Sequence, residues 1–122
     1  MPRVVHFEIQ ADDPARAVKF YETVFDWRTQ KWEGLQDYWL VTTGEDSQPG
    51  INGAIMHRTD PKATVYNTVD VPSVDEFLQK ITNGGGKVVM PKSAIPGLGY
   101  VAYCTDTEGN VFGIFHDDPS AQ

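Results

Sequence analysis

The stretch Val4-Val5-His6-Phe7-Glu8-Ile9-Gln10-Ala11-Asp12-Asp13-Pro14 decides how the rest of the chain is read. Val5, Phe7 and Ile9 alternate with His6, Glu8 and Gln10. That period predicts a strand over residues 4–10 with one apolar and one polar face. Asp13 can then accept a hydrogen bond from the first turn of a helix, and Pro14 suits the first helical position. Ala17, Val18, Tyr21, Val24 and Phe25 follow at spacings of three and four, the stripe of an amphipathic helix. Further strands are expected over 27–32, 38–43 and 51–58, with the polar run 44–50 separating the last two.

The pattern then restarts. Residues 63–69 read as a strand, and Ser73-Val74-Asp75-Glu76 is a capping box. Val74, Phe77, Leu78 and Ile81 form a second helical stripe, closed by Asn83-Gly84-Gly85-Gly86, where glycine can take positive φ. Strands are predicted over 87–90, 100–105 and 110–116. Pro91, Pro96, Gly97 and Gly99 are assigned to loop, as is Asp106-Thr107-Glu108-Gly109. One constant shift of 60 positions relates the copies: Asp13 to Ser73, Ala17 to Phe77, Val18 to Leu78, His6 to Tyr66 and Glu8 to Thr68. The expected fold is α+β, a single domain over 1–122 holding two βαβββ modules, about 3–58 and 63–117. Each has one helix on one face of a four-stranded sheet. Two such curved, mixed sheets, helices outside, would enclose a cavity of the kind that takes small ligands.

Composition narrows the function classes. The 122 residues carry 10 basic and 17 acidic side chains, a net charge of −7. Phosphate-backbone binding runs on Lys and Arg, so a nucleic-acid partner is not expected. No apolar run approaches the roughly 18 residues that cross a bilayer, and Glu8 breaks the N-terminal apolar stretch too early for a signal peptide. Cys104 is the only cysteine. No intrachain disulfide can form, and a cytoplasmic location is the expectation.

Several short motifs, in order, resemble the vicinal oxygen chelate superfamily of glyoxalases, bleomycin-resistance proteins and extradiol dioxygenases. They are His6-Phe7-Glu8-Ile9, Asp13-Pro14, Phe20-Tyr21, Val24-Phe25-Asp26-Trp27, Val69-Asp70, Gly85-Gly86-Lys87-Val88 and Glu108-Gly109-Asn110-Val111-Phe112-Gly113. The resemblance implies paired βαβββ modules and a homodimer. It also implies, for metal-using members, a His on the first strand of each half and a Glu on the last strand of one or both. Carried over, these positions are His6, Tyr66, Gly113 and either Gly53 or Ala54. One imidazole does not make a three-donor site, so no metal and no cofactor are expected. A rearranged site using Glu8, or His57 with His116, stays open, although alternation turns His116 away from the face of Gly113.

The candidate site residues are His6 and Glu8, two apart on one strand face. They read either as an acid/base pair or as a structural histidine beside a solvated carboxylate. Tyr66 and Thr68 are expected on an opposite wall. Trp39 and Tyr100 are drawn from the aromatic set as stacking surfaces. Tyr38 and Trp39 fall on opposite faces, so at most one looks inward. Cys104 reads as core. Gly84-Gly85-Gly86-Lys87 follows a helix rather than preceding one and is no phosphate loop. The leading expectation is a metal-free protein binding an unknown small molecule. The alternatives are a metal-dependent lyase, isomerase or dioxygenase-like enzyme and a dimerising accessory module.

Overall fold

The computed structural model describes residues 2–33 and 37–122. Its elements run β1 (Arg3–Ala11), α1 (Pro14–Phe25), β2 (Arg28–Lys31), β3 (Tyr38–Thr42), β4 (Asn52–His57), β5 (Val65–Asp70), α2 (Val74–Asn83), β6 (Lys87–Ile95), β7 (Gly99–Thr105) and β8 (Val111–Asp117). This is an α+β fold. The chain divides into two compact units, His6–Tyr66 and Asn67–Gln122 with the N-terminal residues through Val5. Among the described residues no helix is long and apolar enough to cross a membrane.

Both helices begin where local chemistry says they should. Asp13 is extended and its carboxylate accepts the Arg16 N–H at 3.2 Å, with Pro14 next. Ser73 does the same for the Glu76 N–H at 3.2 Å. Each cap satisfies one of the donors a helix start leaves unpaired. Helix α1 ends on Asp26 in the left-handed region (φ 62°), and α2 runs into Gly85 at φ 98°, where a side chain would be strained.

In the His6–Tyr66 unit the strands lie in the order β2-β3-β4-β1, with β1 and β4 parallel and the other pairs antiparallel. The Asn67–Gln122 unit repeats this as β6-β7-β8-β5, with β5 and β8 parallel. One helix covers one face in each. Val18 of α1 packs with Ala11, Val41 and Ile55, flanked by Phe7, Ile9, Trp27 and Trp39. Val74 of α2 packs with Val71, Ala102 and Ile114, flanked by Phe77, Leu78, Ile81 and Tyr100. Burying each such Val or Ile contributes roughly 1.5–3 kcal/mol.

Several strand ends shift by a residue or two, and Gly99, read as loop, begins β7; the largest difference is in β6. Residues 91–95, read as loop, continue β6 through Pro91 to Ile95. Within its ladder β6 pairs only with β7, and the register is irregular between Val88 and Met90 and again between Met90 and Ser93. A proline has no N–H to give a ladder, so it is tolerated where pairing is already broken at an edge.

Candidate functional site

The site follows from the faces of β1. Phe7, Ile9 and Ala11 pack on the α1 side. His6, Glu8 and Gln10 therefore share the opposite face. Ladder partners extend that face. Glu8 lies beside Ala54, and Ala54 beside Leu40; Gln10 lies beside Met56, and Met56 beside Tyr38. Ala54 is fully buried.

Across this face Tyr38 reaches over β4. Its hydroxyl donates to Glu8 Oε2 at 3.0 Å and stands 3.4 Å from His6 Nε2. The phenol ring rests edge-on against Trp32, at 6.5 Å between centroids. Since the phenol proton points at Glu8, a hydrogen bond from His6 is made by its Nε2–H to the Tyr38 oxygen. Burial pushes the His6 imidazole below its ordinary 6.5, against the Glu8 charge, which pulls it up. Burial, the Glu8 charge and the bond to Glu8 together hold the Tyr38 phenol far above its usual range. Tyr66 is raised too, by burial and by the charges of Asp60 and Glu8. At neutral pH the cluster is thus a neutral imidazole, a neutral phenol and a carboxylate held in one hydrogen-bonded group.

The other candidates separate cleanly by face. Thr68 is buried beside Gly113 on β8. A Cβ placed on Gly113 would stand 3.2 Å from the Tyr103 ring and 3.3 Å from Thr68 Oγ1. Trp39 packs against α1, with Lys31 Nζ 5.8 Å above its ring. Tyr100 packs on the α2 side, 5.3 Å from the His116 ring, with Lys92 Nζ 4.5 Å above it. The structure therefore brings His6 and Glu8 together, with Tyr66 in the field of Glu8. Trp39 and Tyr100 lie on the helix-covered faces of their own sheets. Cys104 is fully buried, and burial raises its thiol pKa.

The sequence places Gln10 on this face without marking it as a site residue, and it leaves the face of Tyr38 open. Alternation from His6 was a sufficient signal for Gln10. Tyr38 could not be separated from Trp39 without knowing which face α1 covers.

The family's metal can be tested against these positions. The parallel ladders pair Glu8 with Ala54 and Thr68 with Gly113, which makes Ala54, not Gly53, the counterpart of Gly113. The four positions then hold an imidazole, a phenol, a methyl and a hydrogen. The space beside Gly113 is taken by Tyr103 and Thr68. Among the described residues no three His, Cys, Asp or Glu side chains cluster. His116 is engaged elsewhere, accepting the Val74 N–H on Nδ1 at 2.8 Å. This donor set does not fit the divalent ion of the metal-using members.

Two βαβββ ladders with a polar cluster beneath the first define a glyoxalase-type fold. The chain belongs to the Glyoxalase/Bleomycin resistance protein/Dioxygenase superfamily, whose model matches residues 3–114. It is 26% identical over 118 residues to "Putative glyoxylase CFP32" of Mycobacterium bovis, covering 88% of this chain. The chain spans 43% of the length of that relative. A superfamily member from Vibrio splendidus 12B01 has the same fold, with TM-score 0.68 and 13% identity over 96% of this chain and all of that one. So does a methylmalonyl-CoA epimerase from Mycobacterium tuberculosis, with TM-score 0.68 and 12% identity over 95% of this chain and 88% of that one.

Proposed function

We propose that this chain is a small-molecule-binding member of the superfamily that works without the family's metal. Its ligand rests on the face of the first sheet turned away from α1. One observation carries this reading: the Tyr38 hydroxyl joins His6 and Glu8 on a face its own helix leaves uncovered. Polar groups in partly desolvated surroundings are costly unless paired, so such a cluster implies either a structural network or a recognition surface. With the Nε2–H of neutral His6 given to Tyr38, its Nδ1 can accept a hydrogen bond and so can Glu8, so a ligand that brings N–H or O–H donors is matched.

Thermal shift against small carbonyl compounds and planar cations, on wild type and His6→Ala, tests the reading. A ligand that raises the wild-type Tm should lose most of that effect in His6→Ala, while the variant stays folded. Equal destabilisation of the variant with an unchanged ligand shift would assign His6 to structure alone.

A second reading is a lyase or isomerase transferring a proton through His6 or Glu8. The lowered His6 pKa favours it, because an unprotonated imidazole at neutral pH is a competent base. Homodimerisation is carried over from the resemblance, and light scattering of the purified chain tests it.

A further inference from the structure

Among the described residues, Gln10 carries the one buried side-chain nitrogen or oxygen that lacks a hydrogen-bond partner. It is 6% exposed, and its side-chain Nε2 has no partner among the described residues. It shares the β1 face with His6 and Glu8 and sits beside Met56, which in turn faces Tyr38. Buried amide nitrogens almost always meet an acceptor, and a side-chain amide brings two N–H donors and nothing else on that atom.

The charges nearby limit what that acceptor can be. Glu8, two residues along the same face, is a carboxylate bound by Tyr38. His6 is kept neutral by burial, so it offers no positive charge to offset a second anion. The chain as a whole carries −7. A carboxylate or phosphate brought to Gln10 would meet Glu8 at close range in surroundings where water screens poorly. A neutral carbonyl oxygen meets no such repulsion, and among neutral carbonyls the amide oxygen is a strong acceptor.

We infer that Gln10 is a specificity-determining residue that donates from Nε2 to the carbonyl oxygen of a neutral amide or lactam, and that Glu8 beside it excludes the matching carboxylate. This rests on the reading that the His6–Tyr38–Glu8 face binds small molecules, and it adds the class of group that face selects.

The test uses the full-length chain, with 2-pyrrolidone as the lactam probe and butyrate as the carboxylate of similar size, followed by NMR at pH 8. 2-Pyrrolidone should shift the Gln10 side-chain amide resonance and bind at least tenfold more tightly than butyrate. Gln10→Met, which keeps the length and removes the donor, should weaken 2-pyrrolidone at least tenfold. Glu8→Gln should narrow the gap between the two probes. Equal binding of 2-pyrrolidone to wild type and Gln10→Met overturns the inference. So does a Gln10 amide that stays still while 2-pyrrolidone moves His6 and Tyr38, which needs no variant to fold. In both of those outcomes the binding face itself survives. If neither these probes nor the compounds of the thermal-shift panel move His6, Tyr38 or Gln10, the face is not a binding surface and both readings fall.

Discussion

The two halves of the chain are built on one plan and furnished differently. In each, a parallel pair sets the first strand beside the last, and one helix covers one face. On the other face the first half sets Glu8 beside Ala54 and brings Tyr38 over to join His6. The second sets Thr68 beside Gly113 and lays the Tyr103 ring against it. The contrast teaches that the ladder fixes positions and leaves chemistry to the side chains. A polar cluster in one half and an aromatic lid over glycine in the other are both compatible with the same backbone.

The largest expected effect separates the two glycines that a sequence alignment alone would pair. A Cβ on Gly53 would collide with the Phe7 carbonyl and stand 2.5 Å from its ring, contacts that only a backbone shift can relieve. A Cβ on Gly113 meets only side chains, at 3.2 and 3.3 Å. Gly53→Ala should therefore cost about 3 kcal/mol, and Gly113→Ala less than about 1 kcal/mol, in urea unfolding. Equal losses would mean that the two glycines occupy equivalent places and that the pairing of Ala54 with Gly113 is wrong.

Next in size is the polar cluster. Tyr38→Phe leaves Glu8 without the phenol's proton and should cost about 1–3 kcal/mol. The pH dependence follows from His6. Its folded pKa lies below the unfolded 6.5, so between those two values the unfolded chain binds more protons. Stability contributed by neutral His6 is full above 6.5 and is lost as pH falls through that window. Replacing His6 with Asn should flatten the slope of the wild-type stability curve below pH 6.5. Glu8→Gln should push the His6 pKa lower still in an NMR titration, because the Glu8 charge is the influence that raises it.

How much of this could be read beforehand depends on how local the cause is. Both N-caps, at Asp13 and Ser73, were legible because a cap is settled within four residues of chain. The polar face of β1 was legible for the same reason, since alternation needs only the strand itself. The choice between Gly53 and Ala54 was not, because it depends on register between strands more than forty positions apart, and a slip of one residue reverses every face. Tyr38 joining Glu8 and His6 was also hidden: it needs β4 between them to carry Ala54 rather than a larger side chain. Pro91 within β6 was misread because the rule against proline in strands relaxes at a ladder's edge.

The smallest effect tests the comparison at its helix-covered faces. With Ala54 matched to Gly113, His57 becomes the counterpart of His116, yet the two imidazoles differ in employment. His116 Nδ1 accepts the N–H of Val74, the first residue of α2, at 2.8 Å. The first residue of α1 is Pro14, which has no N–H to satisfy, and His57 is exposed. His116→Ala should thus leave a donor at a buried residue without its acceptor and cost about 1 kcal/mol. His116→Asn, whose side-chain oxygen can stand near the former Nδ1, should recover part of that loss. His57→Ala should change stability by less than about 0.5 kcal/mol. Thermal unfolding of the three variants decides the matter, because losses of equal size at His57 and His116 would contradict the idea that the proline and the histidine are alternative ways to start the same helix.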